Sequence, residues 1–488
     1  MLASLALGAC TVGPDFVRPR PQVPAHWSPT ALGAAPPHTG ASGAAVTSNV
    51  QEGPQASVDW WHRFEDPTLD SLISRAVDAN LDLRAAVLRI EEARAQRAVA
   101  ASAWLPTVAL DASYTRQRFS ETTPTGALFN TVGNVHLPGG AGISIPNPYN
   151  QFQLSGSASW EIDLFGRVRR SVEAADANVQ VSIEDHHAVQ VTMLADVAQS
   201  YMQLRGAQTR LRVAQENLGV IEELLDLTRQ RLAAGLTTHI DVSNALAQAE
   251  VTRAQIPAFE LEITQDVNQL SRLLGREPEA LRAELERAAP VPEVTSEVSI
   301  GVPAELARRR PDIREAEAKL HAATAQVGVA VADLFPRLTL SASGGVQSES
   351  AHQLFDWASR FGSYGPSIDL PVFDMGRWRT MHLQDVRLQE VALDYRRTVL
   401  NALQETENAI AAYAADQARR TSLAGAVVQN RDALALSRDR YQSGVATFID
   451  VLDVERNLQQ NELGLAESDA AVSADLVQIY RTLGGGWK

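Results

Sequence analysis

The residue with the clearest capacity for covalent chemistry is Cys10, the one cysteine of the chain. It ends the sequence Leu7-Gly8-Ala9-Cys10, after a short apolar run. Small residues before such a cysteine are typical of a bacterial lipoprotein signal, in which the thiol is acylated and becomes residue one of the mature protein. The alternative is an incidental or buried cysteine near a terminus. The short segment before Cys10 has no basic residue, which leaves open a start of translation upstream of Met1.

Other reactive constellations are absent from the sequence. It contains no phosphate-binding loop, no pair of zinc-binding histidines at helical spacing and no Gly-x-Ser-x-Gly. His186 and His187 are adjacent, so on a helix their rings point in different directions, and His239 is solitary. We therefore expect no catalytic residue, no metal site and no cofactor.

Composition and charge exclude further classes of protein. The formal net charge of −15 leaves no basic stripe to neutralise phosphates, which argues against a nucleic-acid partner. A single cysteine excludes a disulfide within the chain. The sequence has no run of eighteen or more apolar residues, so we expect no transmembrane helix, and any crossing of a membrane would need strands.

The longest element predicted by the pattern is a helix from about Ser171 to Gly235. At 1.5 Å per residue it would be roughly 95 Å long, more than a globular core requires. After a break at Gly235, apolar residues again recur every seventh position, which suits the antiparallel return arm of a hairpin. Pro257 should bend this return arm without ending it. The heptad positions of the two arms are Val197, Leu204, Leu211, Leu218, Leu225, Leu232 and then Val242, Ala249, Ile256, Ile263, Leu270.

The same hairpin occurs twice. Adding 209 to the return-arm positions gives a second apolar ladder, and Gly235 and Asp241 map onto Gly444 and Asp450. Arg231 maps onto Arg440 by the same offset. The chain is therefore an internal duplication with a unit of about 200 residues. The positions of the second ladder are Val451, Leu458, Leu465, Val472 and Ile479.

Each repeat also contains two segments of strict alternation, the period of a strand with two unlike faces. Four strands of about ten residues, apolar on one face and small or polar on the other, have the length and pattern of transmembrane strands. The alternative is a pair of half-buried hairpins on a soluble core. The apolar positions are Val108, Leu110, Ala112, Tyr114, then Phe152, Leu154, Gly156, Ala158, Trp160, then Leu338, Leu340, Ala342, Gly344, Val346, and a weaker set from about 361 to 370.

Four strands cannot close a barrel, and lipid does not tolerate an open sheet edge. Two copies would give eight strands with a filled interior, whereas three would give twelve and leave a passage. The small inward side chains favour three. The fold class we predict is therefore mainly α with a membrane β part: duplicated α-hairpins forming a trimeric α-barrel tunnel, and a 12-stranded β-barrel with four strands per chain.

The order of patterns gives the domain boundaries. Residues 1–9 would be a signal remnant and residues 10–59 the lipid anchor with an extended segment rich in Pro, Gly and Ala. Residues 60–275 and 303–483 would be the two structural repeats. Residues 276–302 would link them, and residues 484–488 would be a tail.

Four motifs, spread in order over essentially the whole chain, resemble the TolC-type outer-membrane factors and in particular their lipidated multidrug-efflux branch, the OprM/NodT-like lipoproteins. Each motif alone is weak, but together they are specific. They are residues 10–16 with Arg18-Pro19, Trp160 to Gly166, Arg309 to Arg314 continuing to Phe335-Pro336, and Tyr441 to Asp453.

The resemblance implies a homotrimer that forms one passive conduit, anchored to outer-membrane lipid by Cys10, with most of the chain in the periplasm of a Gram-negative bacterium. Its periplasmic hairpin tips would contact an adaptor (membrane fusion) protein, which is itself bound to an inner-membrane pump that supplies the energy. Residues 276–300 and both termini would form an equatorial domain. The adaptor-contact tips would be Gly235, Leu236, Thr237, Thr238, Gly444, Val445, Ala446 and Thr447.

The resemblance also implies a periplasmic gate. Its acidic constriction falls on Asp450 and Asp453, where three copies of each carboxylate would attract cations and narrow the opening. The alternative is a pair of solvated acids favoured by the helix dipole. Tyr441 falls where some members have a hydrogen-bonded tyrosine latch. The arginine that accompanies it in those members is Ala446 here, so the latch cannot be intact.

These observations favour an outer-membrane exit duct of a tripartite efflux system, passively conducting small toxic compounds or drugs, and not an enzyme. A duct for protein secretion or for metal efflux is an alternative of the same class, although a Met-rich lining for soft metals is missing. A non-channel periplasmic coiled-coil lipoprotein is an alternative of another class.

Overall fold

The computed structural model describes residues 11–28, 50–53, 58–124, 127, 147–294 and 298–487. Cys10 lies outside them. In chain order the helices and strands are β1 (Val50–Gln51), α1 (Pro67–Ala79), α2 (Leu81–Ala101), β2 (Thr107–Gln117), β3 (Tyr149–Ile162), α3 (Arg167–Ala233), α4 (His239–Leu273), α5 (Arg282–Leu285), β4 (Val298–Ser299), α6 (Pro303–Arg309), α7 (Pro311–Ala332), β5 (Arg337–Ser348), β6 (Arg360–Asp369), α8 (Met375–Gln442) and α9 (Phe448–Thr482).

The chain divides into two compact units that cut across the repeats of the sequence. The first comprises the described residues of Met1–Val17, Ala93–Val179 and Leu320–Val391. The second comprises those of Arg18–Glu92, Gln180–Lys319 and Ala392–Lys488. Each unit therefore takes segments from both repeats, because the duplicated elements pack on each other.

The first unit contains one antiparallel sheet with the strand order β2-β3-β5-β6. Its register places apolar positions opposite each other, as in the pairs Trp160 with Leu340 and Leu338 with Ile368. That face is exposed in the chain: Val108 is 78% and Leu110 is 77% accessible. The two outer strands, β2 and β6, pair on one side only among the residues described.

The segment after Cys10 packs against the end of β3 in the same unit. The amide of Val12 donates to the Phe165 carbonyl at 3.2 Å. Gly13 has a φ of +89°, and a Cβ there would lie 2.6 Å from the Cα of Gly328. The buried Arg170 guanidinium lies 2.6 Å from Asp15. The glycine and the aspartate of the 10–16 motif are thus explained by packing.

Two long helical hairpins, α3/α4 and α8/α9, run through the rest of the chain. The return arms α4 and α9 each have 35 residues and begin 209 residues apart, at His239 and Phe448. Pro257 lies inside α4 without ending it. Gly275 and Gly484, which follow the two arms at the same offset, both have a positive φ. The duplication that the sequence predicts is therefore present in the fold.

The main core of the second unit forms where the short helices meet the long ones. Trp60 stacks on Tyr480 with 5.1 Å between ring centres. The apolar face of α1 is fully buried here, and Asp66 caps that helix by accepting from the amides of Thr68 and Leu69. This cluster continues along α3, α4, α8 and α9.

Arg310, from the motif before α7, ties three elements of the second unit together. Its guanidinium donates to Asp312 at 2.7 Å, to Glu405 of α8 at 2.8 Å and to the Thr482 carbonyl at the end of α9 at 3.1 Å. Such a planar, permanently charged fork suits bridging two carboxylates and a helix C-terminus. The arginine of this motif therefore has a structural role in the second unit.

No helix among the described residues is long and apolar enough to cross a membrane.

Candidate functional site

The two hairpin tips have the same backbone geometry. In the first, the amides of Gly235 and Leu236 donate to the carbonyls of Leu232 and Arg231 at 2.9 and 2.8 Å. In the second, the Gly444 amide donates to the Tyr441 carbonyl at 3.0 Å, and Val445 donates to Arg440 at 2.9 Å. This is a Schellman helix end, and it requires the left-handed φ of +70° and +77° that the two glycines have.

The helix that leaves each tip starts with a capping box. Thr238 and Asp241 cap α4: the Thr238 amide donates to the Asp241 carboxylate at 3.1 Å, and the Asp241 amide returns a bond of 3.3 Å to the threonine hydroxyl. At α9 the Thr447 amide and hydroxyl donate to the Asp450 carboxylate at 2.8 and 2.7 Å. The tip residues are thus held by local hydrogen bonds.

The two acids predicted for the gate have different surroundings. The Asp450 carboxylate is engaged by the helix N-terminus, and the bonds from the Thr447 side chain and amide lower its pKa. Asp453, one turn further along α9, is exposed and forms no hydrogen bond or ion pair with any residue that the structure describes. Asp450 therefore has a structural task in the single chain, whereas Asp453 is free to act electrostatically. Their role in a gate stays a prediction.

Tyr441 is buried, with 3% of its surface accessible, and joins the two hairpins through its ring. The guanidinium carbon of Arg231 lies 4.5 Å from the ring centre. The same guanidinium donates to the carbonyls of Tyr441 and Gln442 at 2.9 and 3.1 Å, at the C-terminal end of α8. The Tyr441 hydroxyl has no hydrogen-bond partner among the described residues. The tyrosine therefore links the tips by cation–π contact and not through its hydroxyl.

A buried polar cluster joins the return arms further from the tips. Gln459 of α9 lies at its centre, 3.3 Å from Gln248 and 3.1 Å from Thr252, both on α4. Arg456 donates to Gln248 at 2.7 Å. A groove of about 630 Å³ opens beside this cluster, with Arg210 and Arg419 in its lining. Amides and a hydroxyl therefore link the two return arms at this level, beside the buried heptad residues Ala249 and Leu458.

Half-buried carboxyls occur at the same position of both return arms. Burial, with a contribution from the adjacent Glu262, raises the pKa of Asp266 to about 7. Burial and the neighbouring Asp416 likewise raise the pKa of Asp475 to about 7. Asp266 and Asp475 are 209 residues apart, so the duplication has kept an acid at a site where its charged form is unfavourable.

The sequence located both hairpin tips and placed Tyr441 beside one of them, but it assigned no contact to Arg231. The offset of 209 that equates Arg231 with Arg440 is the signal that marks both as tip residues. It could not identify the acceptors of Arg231, because these lie on the other hairpin.

Comparisons with known proteins agree with this geometry. The family model described as "Outer membrane efflux protein" matches residues 72–276 and 302–485. The outer membrane protein OprJ of Pseudomonas aeruginosa is 33% identical over 490 residues, covering 100% of this chain and 95% of OprJ. The nodulation protein T of Rhizobium leguminosarum bv. trifolii is 30% identical over 480 residues, with 95% and 92% covered.

Solved structures show the same fold. The outer-membrane channel OprN superposes with a TM-score of 0.84 at 34% identity, covering 98% of this chain and 100% of OprN. The open state of the MtrE outer membrane channel of Neisseria gonorrhoeae gives a TM-score of 0.78 at 28% identity, with 98% and 99% covered.

These matches span both hairpins and the strands of both repeats, which confirms the predicted fold class and the resemblance to TolC-type channels. The chain is an outer-membrane efflux channel of a Gram-negative bacterium, and it belongs to the outer membrane efflux protein family.

Proposed function

We propose that three copies of this chain form a passive exit duct, with four strands from each copy closing a 12-stranded barrel. The observation that carries this proposal is the exposed apolar face of the sheet, on which Tyr364 is 91% and Ile368 is 72% accessible. The described strands have 11, 14, 12 and 10 residues, long enough to cross the hydrocarbon core when tilted. Lipid satisfies apolar side chains but not the unpaired edges of β2 and β6, so neighbouring copies have to pair them.

We infer that the duct carries small toxic compounds which an inner-membrane pump delivers through a periplasmic adaptor at the hairpin tips. A relative that is 30% identical over 486 residues, with 99% of this chain and 95% of the relative covered, is the toluene efflux pump outer membrane protein TtgF of Pseudomonas putida. The tips are solvent-exposed and locally capped, which suits docking without unfolding. The chain itself would catalyse no reaction.

We infer further that Cys10 carries the lipid anchor. Thr11, its neighbour in the chain, lies against Gly166, four residues after the end of β3: a Cβ on that glycine would be 2.7 Å from the Thr11 methyl carbon. An acyl chain on the preceding residue would thus start at the end of a strand that we assign to the membrane. This agrees with the small residues before the cysteine.

Native mass spectrometry of the detergent-extracted protein, expressed with the signal of its own gene, tests these proposals together. The expected result is a mass of three mature chains, each beginning at Cys10 and bearing acyl groups. A trimer without acyl groups would reject the anchor alone. A monomer recovered without detergent would reject the duct.

A further inference from the structure

The joint that Arg231 makes between the two tips of one chain has a counterpart that a single chain cannot complete. Arg231 reaches from the end of α3 to the carbonyls of Tyr441 and Gln442 at the end of α8. Arg440 stands at the equivalent position of α8, 209 residues on. Its side chain is exposed and forms no hydrogen bond or ion pair with any described residue.

We propose that Arg440 donates to the carbonyls of Leu232 and Ala233, at the end of α3 in a neighbouring copy, and so forms between chains the joint that Arg231 forms within one. This inference rests on the proposed trimer, in which the two kinds of tip alternate around a ring. In such a ring, one rotation places the first tip of a chain on its second tip. The same rotation places the second tip on the first tip of the next copy. Subtracting 209 from 441 and 442 gives the two acceptors, 232 and 233.

The backbone at the end of α3 is suited to this role. The Leu232 carbonyl accepts from Gly235, just as the Tyr441 carbonyl accepts from Gly444 while also accepting from Arg231. A carbonyl has two lone pairs, so the second acceptor position at Leu232 can take a further donor. The last carbonyls of a helix carry partial negative charge, which a guanidinium stabilises.

The same offset, applied to a second set of residues, gives a compatible result. Within one chain, Gln459 is buried between Gln248 and Thr252. The equivalent of Gln459 is Glu250, and the equivalents of its two partners are Asn457 and Asn461. One Glu250 oxygen accepts from Arg253 of the same helix, and its other oxygen can accept from the amide NH₂ groups of the two asparagines.

Accessibility agrees with an interface that the single chain leaves open. Gln248 and Gln459 are buried, whereas their equivalents Asn457 and Glu250 are exposed. These two equivalents thus lack, within one chain, the packing that their counterparts have in the other repeat. A second copy of this chain fits that side, since it presents the very surface that already packs there in the other repeat.

The two joints differ in one respect. The residue under the Arg231 guanidinium is Tyr441, and the equivalent residue for Arg440 is Leu232. The joint between chains therefore lacks the aromatic ring and relies on carbonyl hydrogen bonds alone. We expect the ring of tips to separate first at the joints between chains.

Cross-linking of the full-length protein in its native membrane tests the proposal. The pair Arg440→Cys with Ala233→Cys, treated with a short bismaleimide, should convert the monomer band into covalent dimer and trimer on a denaturing gel. Its matched control is Arg231→Cys with Gln442→Cys, which should link within one chain and leave the band at monomer mass. The chain with Cys10 alone gives the background.

Native mass spectrometry of the same samples separates the possible failures. A trimer whose 440/233 pair does not link between chains, while the 231/442 pair does link, would overturn the proposal and leave the trimer standing. A monomer in every sample would reject the proposed function and the joint together. If the 440/233 variant does not assemble, Glu250→Cys with Asn461→Cys is the second interchain pair, with Thr252→Cys and Gln459→Cys as its intrachain match.

Discussion

Arg231 and Tyr441 lie 4.5 Å apart, measured from the guanidinium carbon to the ring centre, and join the end of α3 to the end of α8. The arginine that the family resemblance implies beside this tyrosine is replaced by Ala446 here. Here the cation beside Tyr441 is Arg231, which comes from α3.

We expect Arg231→Ala to loosen the link between the two tips of the chain. It removes a cation–π contact and two charge-assisted hydrogen bonds, together about 1–3 kcal/mol at a half-exposed site, or roughly 5- to 150-fold in the ratio of linked to separated tips. The conductance of the purified channel in a lipid bilayer would rise accordingly. Arg212→Ala is the control, because that arginine forms only an exposed pair with Glu216 on the same helix. Equal conductance of the two variants would contradict the assignment.

The free carboxylate of Asp453 leads to a prediction about ion selectivity. If three copies surround the axis, Asp453→Asn should lower the cation-to-anion permeability ratio by at least about twofold, because a ring of carboxylates concentrates cations. Reversal potentials under a salt gradient measure the ratio. Glu260→Gln, on the exposed face of α4, is the matched loss of one charge. An equal change of the permeability ratio in both variants would mean that Asp453 faces solvent and not the axis.

Asp475 should make the stability of the chain depend on pH. Burial and Asp416 raise its pKa to about 7, above the value of 3.8 that an unperturbed aspartate has. A carboxyl with a raised pKa stabilises the fold below the unfolded value, and this contribution is lost as the pH rises through the folded value. We therefore expect the melting temperature in detergent to fall as the pH rises from about 4 to about 7.

The variant Asp475→Asn isolates this effect. After allowance for partial solvent screening, the acid contributes on the order of 1 kcal/mol to the pH dependence, and the variant should flatten the curve by that amount. Asp266, its equivalent in α4, has a pKa raised to about 7 by burial, so a residual slope is expected to remain. If the melting temperature of Asp475→Asn depends on pH as that of the unmodified chain does, Asp475 is not the group responsible.

The two faces of β2 should respond differently to charge. Leu110→Arg places a guanidinium on the face that we assign to lipid, at a cost of about 2–4 kcal/mol near the bilayer midplane. Ser113→Arg places it on the same strand but on the opposite face, towards the proposed lumen, where water solvates it. The yield of heat-stable, membrane-inserted protein should drop for the first variant and hold for the second. Similar losses in both would favour a soluble sheet.

Local patterns determined the elements and the repeat. The heptads predicted a helix over 171–235 and the structure has Arg167–Ala233, because apolar periodicity and glycine breaks act over a few residues. Alternation located the strands for the same reason, including the weak fourth strand, which is Arg360–Asp369. The offset of 209 is a property of the sequence itself, so the duplication needed no coordinates.

Tertiary structure alone decided which side chains meet. Nothing in the sequence predicts that Arg231 reaches Tyr441 and not solvent, because the two lie 210 residues apart and meet only when the hairpins pack side by side. It left Asp450 open between a gate and a helix cap, and the backbone at Thr447 decided that its carboxylate caps α9 in the single chain. Period and composition are local, whereas a contact between hairpins depends on the relative position of two helices, which no single stretch of sequence encodes.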